Sequence, residues 1–238
     1  MSVGSPASLP LAMSYPVWSD SQGRVEVRFV GRGPERTRDE TLAAVEPSAP
    51  PVAALKQVHS ARVVSVDGAG HAGEGDALVT TRASIALSVI TADCVPVLIA
   101  MGDAVAAVHA GWRGVVGGVV PAALSRLRET AAAAGVNDMA PVAWIGPSIG
   151  ACCYEVGPEV AAPVVAASGE EVSHPGPAGK PHLDVARAVE LQLRREGIED
   201  VRRFGPCTRC HPELLWSYRR EGAKAGRNIA YVWRVAGD

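Results

Sequence analysis

Three side chains far apart in the chain, His59, Cys94 and His109, stand at the ends of apolar runs of strand length. Such ends present side chains to a cleft, and Cys94 and His109 also sit among small residues and glycines, Gly111 and Gly114 included. Taken singly, each has an ordinary use. A cysteine beside a buried strand is a small hydrophobe, and a histidine near a strand end is a hydrogen-bonded residue. Together, two imidazoles and one thiolate would give Zn²⁺ three ligands and leave its fourth position open, the pattern of catalytic sites. Such an ion lowers the pKa of bound water to about 7. Copper on the same ligands is the in vitro competitor, because it outranks zinc in affinity. Arg113, four residues past His109 where a helix should begin, is a candidate phosphate seat. Arg219 and Arg220, beside Ser217 and Tyr218, and Arg227 either line the same cleft against an anion or form a solvated surface group.

A hairpin must position this trio. The apolar runs 95–100 and 104–108 flank a Gly-Asp turn, so antiparallel pairing brings Cys94 and His109 together. Upstream, residues 24–30 alternate polar and apolar as a half-buried strand, and a short helix fits near 37–45. Residues 53–66 hold two strand-like pieces around His59, and 68–75 is a loop of glycines with His71 inside it. Strands are expected at 76–81 and 85–90. After Arg113 the period becomes helical, with Val116, Val120, Ala123, Leu124, Leu127 and Ala131 on one face and Pro121 in the first turn or at a kink. A strand at 141–145, a turn at 146–150, helices at 155–167 and 183–196, a Gly/Pro loop at 168–181, and strands at 201–204 and 229–235 complete the chain. The expectation is a single-domain α/β sandwich with a mixed sheet over 24–238, preceded by a flexible tail at 1–23.

Composition narrows the class. Hydrophobic residues make up 47% and charged residues 20%, with a formal charge of −2, which gives no electrostatic reason for nucleic acid or an anionic membrane as partner. No run approaches the ~18 apolar residues of a membrane span, and the start lacks a basic stretch of the signal-peptide kind. Five cysteines, two of them adjacent, argue against a secreted disulfide framework and for a reducing cytoplasm. Cys207-Thr-Arg-Cys210-His211 fits the pattern of covalent haem attachment, but that chemistry needs export. As half of a zinc ribbon it lacks a second pair. Cys210-His211 is therefore read as incidental, and Cys152-Cys153 as packing beside the 146–150 turn.

Several ordered segments now carry a resemblance. Lys56-Gln57-Val58-His59, Gly75-Asp76-Ala77-Leu78-Val79-Thr80, Thr91-Ala92-Asp93-Cys94-Val95-Pro96-Val97-Leu98 and His109-Ala110-Gly111-Trp112-Arg113-Gly114 resemble the laccase-domain family, also called peptidoglycan editing factor or purine nucleoside phosphorylase. Gly146-Pro-Ser-Ile-Gly150, Tyr154-Glu155-Val156-Gly157, Cys207-Thr208, Ser217-Tyr218-Arg219-Arg220 and Gly226-Arg227 extend it from about Leu55 to Trp233. The resemblance implies a cytoplasmic zinc enzyme of α/β fold that phosphorolyses adenosine, inosine, guanosine and methylthioadenosine and deaminates adenosine, with His59, Cys94 and His109 as ligands. Its partners would be a purine nucleoside and phosphate, acted on by a monomer or homodimer. In deamination Asp93 is the candidate proton carrier, and Trp112 either stacks a purine or plugs the core. One departure stands out: the family's Gly-Gly-Val-Ser and Ser-Leu-Asn stretches are absent from the short 24–54 segment.

Two other readings use the same residues. Cys94 activated by His109 would be a thiolate nucleophile cleaving an amide, as in removal of serine from a muramyl precursor. A non-catalytic partner-binding protein would tolerate loss of Cys94. A multicopper oxidase, by contrast, needs on the order of ten histidines, largely in His-x-His pairs; this chain has six and no such pair.

Overall fold

The Gly102-Asp103 turn closes as expected, with Gly102 at φ +55°, and it joins β8 (Val95–Met101) to β9 (Ala104–Ala110) in antiparallel register. Val95 pairs with Ala110 and Pro96 with His109, so Cys94 and His109 meet at the open end of the hairpin. The computed structural model describes residues 15–136, 139–177 and 179–237.

Where the sequence reading expects one mixed sheet, the strands divide between two. The first runs in the order β1 (Val17–Gln22), β2 (Val25–Val30), β14 (Asn228–Arg234), β7 (Ala86–Thr91), β3 (Val52–Lys56) and β5 (Gly70–Glu74). The second runs β13 (Asp200–Arg203), β10 (Val142–Ile145), β8, β9, β6 (Ala77–Thr80) and β4 (Val63–Ser65). A separate two-stranded ribbon, β11 (Ser173–Pro175) with β12 (Pro181–Leu183), lies within the expected Gly/Pro loop. Both large sheets mix parallel and antiparallel pairs.

Side-chain alternation sorts the layers. Val95, Val97 and Ile99 of β8 and Ala104, Ala106 and Val108 of β9 face the helices α3 (Val119–Ala133), α4 (Pro158–Ser168) and α5 (Val185–Arg195). Leu98 and Ala100 of β8 and Val105 and Ala107 of β9 face Val27, Phe29, Leu87, Val89 and Val232 of the other sheet. Strands apolar on both faces are the mark of a central sheet. The outer face of the first sheet carries Val30, Tyr231 and Trp233 under α1 (Arg38–Val45). The result is an α/β/β/α sandwich.

Helix ends follow local chemistry. Thr37 and Glu40 form a capping box at α1, and the Asp184 carboxylate accepts from the Arg187 backbone at α5. Pro121 sits in the first turn of α3, where no intrahelical N–H bond is lost. Val116 leaves the expected face: it ends the short α2 (Trp112–Val116), is exposed, and is separated from α3 by Gly118 at φ +80°.

Val17–Gln22, expected within the flexible tail, is a strand, because the turn at Gly23 (φ +59°) folds it back on β2 through a six-pair register. Asp20 of this strand accepts from Trp144 Nε1 (2.8 Å) and Arg202 (2.7 Å) of the second sheet. Residues 1–14 of the expected tail lie outside the described residues. Gly70–Glu74, expected as loop, is β5, drawn into the sheet by parallel pairing with β3 despite its glycines.

Candidate metal centre and its cleft

Alternation sends His109, like Ala107, toward the layer between the two sheets, and β9 ends there. His59 follows β3 and Cys94 precedes β8, so three strand ends from both sheets converge. The candidate ligand atoms of His59, Cys94 and His109 all lie within 4.8 Å of one another, and Cys94 Sγ is 3.9 Å from His59 Nε2. Ligands of one tetrahedral zinc stand roughly 3.5 Å apart, so the group fits a single ion. Gly111 is part of that fit: a Cβ there would come 2.9 Å from His59 Cδ2 and 3.1 Å from Cys94 Sγ.

Asp76, which the sequence reading gives as the start of a strand and a member of one resemblance segment but assigns no role, organises two of the ligands. It is fully buried. One carboxylate oxygen accepts from His109 Nδ1 (2.8 Å) and from the His59 backbone N–H (3.0 Å). The other accepts from the Ser60 N–H (2.6 Å) and hydroxyl (2.7 Å). Three neighbouring backbone contacts thus hold His59 at φ +60°, a left-handed conformation costly for a residue with a Cβ. With Nδ1 held by Asp76, His109 has Nε2 left for the centre, and loss of the Nε2 proton would give the tautomer a metal requires.

The electrostatics agree. Burial pushes the Asp76 carboxyl up, but the hydrogen bonds from His109 and Ser60 outweigh it and hold it far below the usual range. Burial lowers His109, yet Asp76 and the Cys94 sulfur raise it to about 9. Burial raises Cys94, and hydrogen bonds with His109 and His59 reverse that and lower it to about 6. Without metal, the pair is thiolate and imidazolium at neutral pH.

These residues floor a cavity of about 570 Å³ that Arg38, Gln57, Asp93, Tyr154, Tyr218, Arg219 and Arg227 also line. That volume suits a small organic ligand. A neighbouring hollow of about 280 Å³, walled by residues 33–37, shares Arg38, Ile90 and Arg227 with it. The Gln57 amide bonds both the N–H (2.8 Å) and the C=O (2.7 Å) of Ile90, locking the ends of β3 and β7 together. The Arg219 guanidinium lies 4.7 Å from the Tyr154 ring centre and donates to the Glu155 carbonyl at 2.7 Å. Gln57 and Tyr154 stood in recognisable segments, but only the fold shows that they face the cavity.

Not every expected site residue is here. Arg219 and Arg227 line the cavity, but Arg220 does not: its guanidinium donates to the carbonyls of Thr208, Arg209 and Leu215 and pairs with Glu221, bracing a loop. Arg113 is exposed, stacked 4.5 Å over the Trp112 ring and outside the cavity lining, because α2 carries it past the cleft. Trp112 itself packs partly buried against the core and also lines a small hollow with Asp93, Cys94 and Tyr154. Asp93, at φ +99°, accepts from the Thr208 hydroxyl and from the Arg219 backbone N–H, both at 2.6 Å. It lines the cavity, and these two bonds tie it to the loops that carry Thr208 and Arg219. The cysteines supply the largest correction. The second pair that Cys207 and Cys210 lack in the local sequence is Cys152 and Cys153, and the four sulfurs lie within 4.8 Å of one another. None of the five cysteines is in a disulfide.

No helix among the described residues is long and apolar enough to cross a membrane. Residues 35–235 match the family model described as multi-copper polyphenol oxidoreductase laccase. A Streptomyces coelicolor protein named purine nucleoside phosphorylase is 41% identical over 184 residues, 75% of this chain and 73% of the relative. An Escherichia coli protein of the same name is 34% identical over 209 residues, covering 84% and 81%. Among solved structures, a Neisseria meningitidis protein superposes with a TM-score of 0.77 at 27% identity, over 92% of this chain and 99% of that one.

Proposed function

The chain belongs to the laccase-like polyphenol oxidoreductase family, and from that premise we propose that it is a zinc-dependent purine nucleoside phosphorylase. Its substrates in this reading are adenosine, inosine, guanosine and methylthioadenosine, with adenosine deamination as a second reaction of the same cleft. One observation carries the reading: a three-donor His59–Cys94–His109 cluster floors a nucleoside-sized cavity walled by arginines and tyrosines. The relatives' name points the same way. Six histidines remain too few for multicopper chemistry.

Phosphorolysis needs a dianion and a nucleoside held in line. The guanidinium groups of Arg219 and Arg227 bind the phosphate, and the rings of Tyr154 and Tyr218 take the purine face. An oxygen of the hydrogen phosphate dianion forms a bond to the anomeric carbon as the bond to the base nitrogen breaks, and the proton of that phosphate ends on the departing base. Positioning and charge complementarity supply most of the acceleration. His59, Cys94 and His109 would hold the zinc, which would supply Lewis-acid charge to the cleft. Asp93 keeps Arg219 in register, and Asp76 keeps His109 and His59 aimed.

The test is direct. Purified zinc-loaded protein given adenosine and phosphate should yield adenine and ribose 1-phosphate by chromatography, with inosine as the deamination product. Zinc-loaded protein that forms neither adenine nor inosine refutes the reading. The low Cys94 pKa favours one competitor, a cysteine amidase. That competitor gains if the metal-free protein is the active form and iodoacetamide abolishes its activity.

A further inference from the structure

We propose that Cys152, Cys153, Cys207 and Cys210 hold a second Zn²⁺, a structural one, on the loops behind the cleft. Their sulfurs all lie within 4.8 Å of one another, with Cys153 to Cys210 at 3.3 Å and Cys152 to Cys210 at 3.7 Å. A tetrahedral zinc with Zn–S bonds of ~2.3 Å has sulfur–sulfur edges of about 3.8 Å. A disulfide would need about 2.05 Å. Cys207-Thr-Arg-Cys210 has the two-residue gap of a zinc knuckle, and the Gly150 backbone N–H donates to Cys207 Sγ at 3.2 Å, a bond that favours thiolate. The turn at 150–153 presents both adjacent cysteines: the N–H groups of Cys153 and Tyr154 both bond the Gly150 carbonyl. Gly150 sits where a Cβ would come 3.3 Å from Cys152 Sγ.

Four soft donors select zinc over hard cations and leave no position for water, so the site is closed and structural. A four-iron cluster would need its sulfurs spread around a cube, which this tight group does not offer. The ion ties the segment between β10 and α4 to the one between β13 and α6 (Tyr218–Glu221). Both segments reach the cleft: Tyr154 follows Cys153 and lines it, and Thr208 follows Cys207 and holds Asp93. The proposal does not depend on the reaction catalysed.

Cobalt titration under reducing conditions tests it. The metal-stripped wild type should take up about two equivalents. Cys94→Ala protein should keep about one, with the intense visible bands of tetrahedral cobalt tetrathiolate, and should gain several degrees in Tm when zinc is added. Cys210→Ser should lose those bands while retaining the other equivalent. Cys94→Ala protein does not rely on the thiol variant folding. If it binds no cobalt, or binds it without tetrathiolate absorption, or carries a Cys153–Cys210 disulfide in place of metal under these conditions, the proposal fails.

Discussion

Among the described residues, two groups of side chains could hold a metal ion, and they differ in nearly everything but size. Both keep their donor atoms within 4.8 Å of one another. His59, Cys94 and His109 sit at strand ends, mix nitrogen with sulfur, offer three donors and face a cavity of about 570 Å³. Cys152, Cys153, Cys207 and Cys210 sit on loops and offer four donors of one kind. The first group is held by a buried carboxylate, Asp76, that orients its imidazoles; the second is held by turn backbone. Three donors with room beside them leave a coordination position for chemistry, whereas four donors leave none. The contrast teaches that donor count and rigidity of support, more than proximity, separate a reactive centre from a rivet.

The contrast can be broken first at the ligands. His109→Ala or Cys94→Ala should lower phosphorolysis by on the order of 10³-fold while circular dichroism stays native, since each removes one of the proposed metal ligands. Retained activity in a metal-depleted variant would place catalysis elsewhere. Next, Asp76→Asn should weaken zinc binding at the His–Cys–His site by roughly 10–100-fold in a chelator competition, and leave the tetrathiolate site unchanged.

Acidity sharpens the comparison further. Between pH 6 and 9 the metal-free cleft holds Cys94 as thiolate and His109 as imidazolium. Metal uptake there must expel the His109 proton. Affinity should therefore climb about tenfold per pH unit, flatten above about 9, and steepen below about 6 where Cys94 also must ionise. Calorimetry in buffers of different ionisation heat would count the proton; none released at pH 7.5 would contradict the assignment. The smallest effect belongs to Arg113→Ala. Its side chain is exposed and outside the cleft, so KM for phosphate should stay within about twofold, whereas Arg219→Ala should raise it severalfold.

What could be read from the chain alone follows from where the information lies. The hairpin was legible because its strands are continuous apolar runs with a Gly-Asp turn, and the turn brings Cys94 to His109 by local geometry alone. His59 was legible through its residue type and its place after a strand. Asp76 was not: its partners, His109 and the 58–60 backbone, are gathered only when both sheets form. Nor was the four-cysteine group, whose pairs belong to loops that meet only after α4, α5 and the second sheet have packed. Gly70–Glu74 looks like loop because its strand character comes from the neighbour it pairs with. Arg113 and Arg220 show the reverse failure, in which a charge beside the right segment turns away from the cleft.

The first strand has a consequence of its own. β1 covers the outer rim of β2 along its whole length, and Asp20 clasps it to Trp144 and Arg202 of the opposite sheet. A chain trimmed to begin at Gly23 would bare the β2 backbone beside Val25, Val27 and Phe29, an unshielded margin that invites a second molecule to zip alongside. Proteolytic clipping there should show first as dimers and larger particles in light scattering, before any catalytic rate declines.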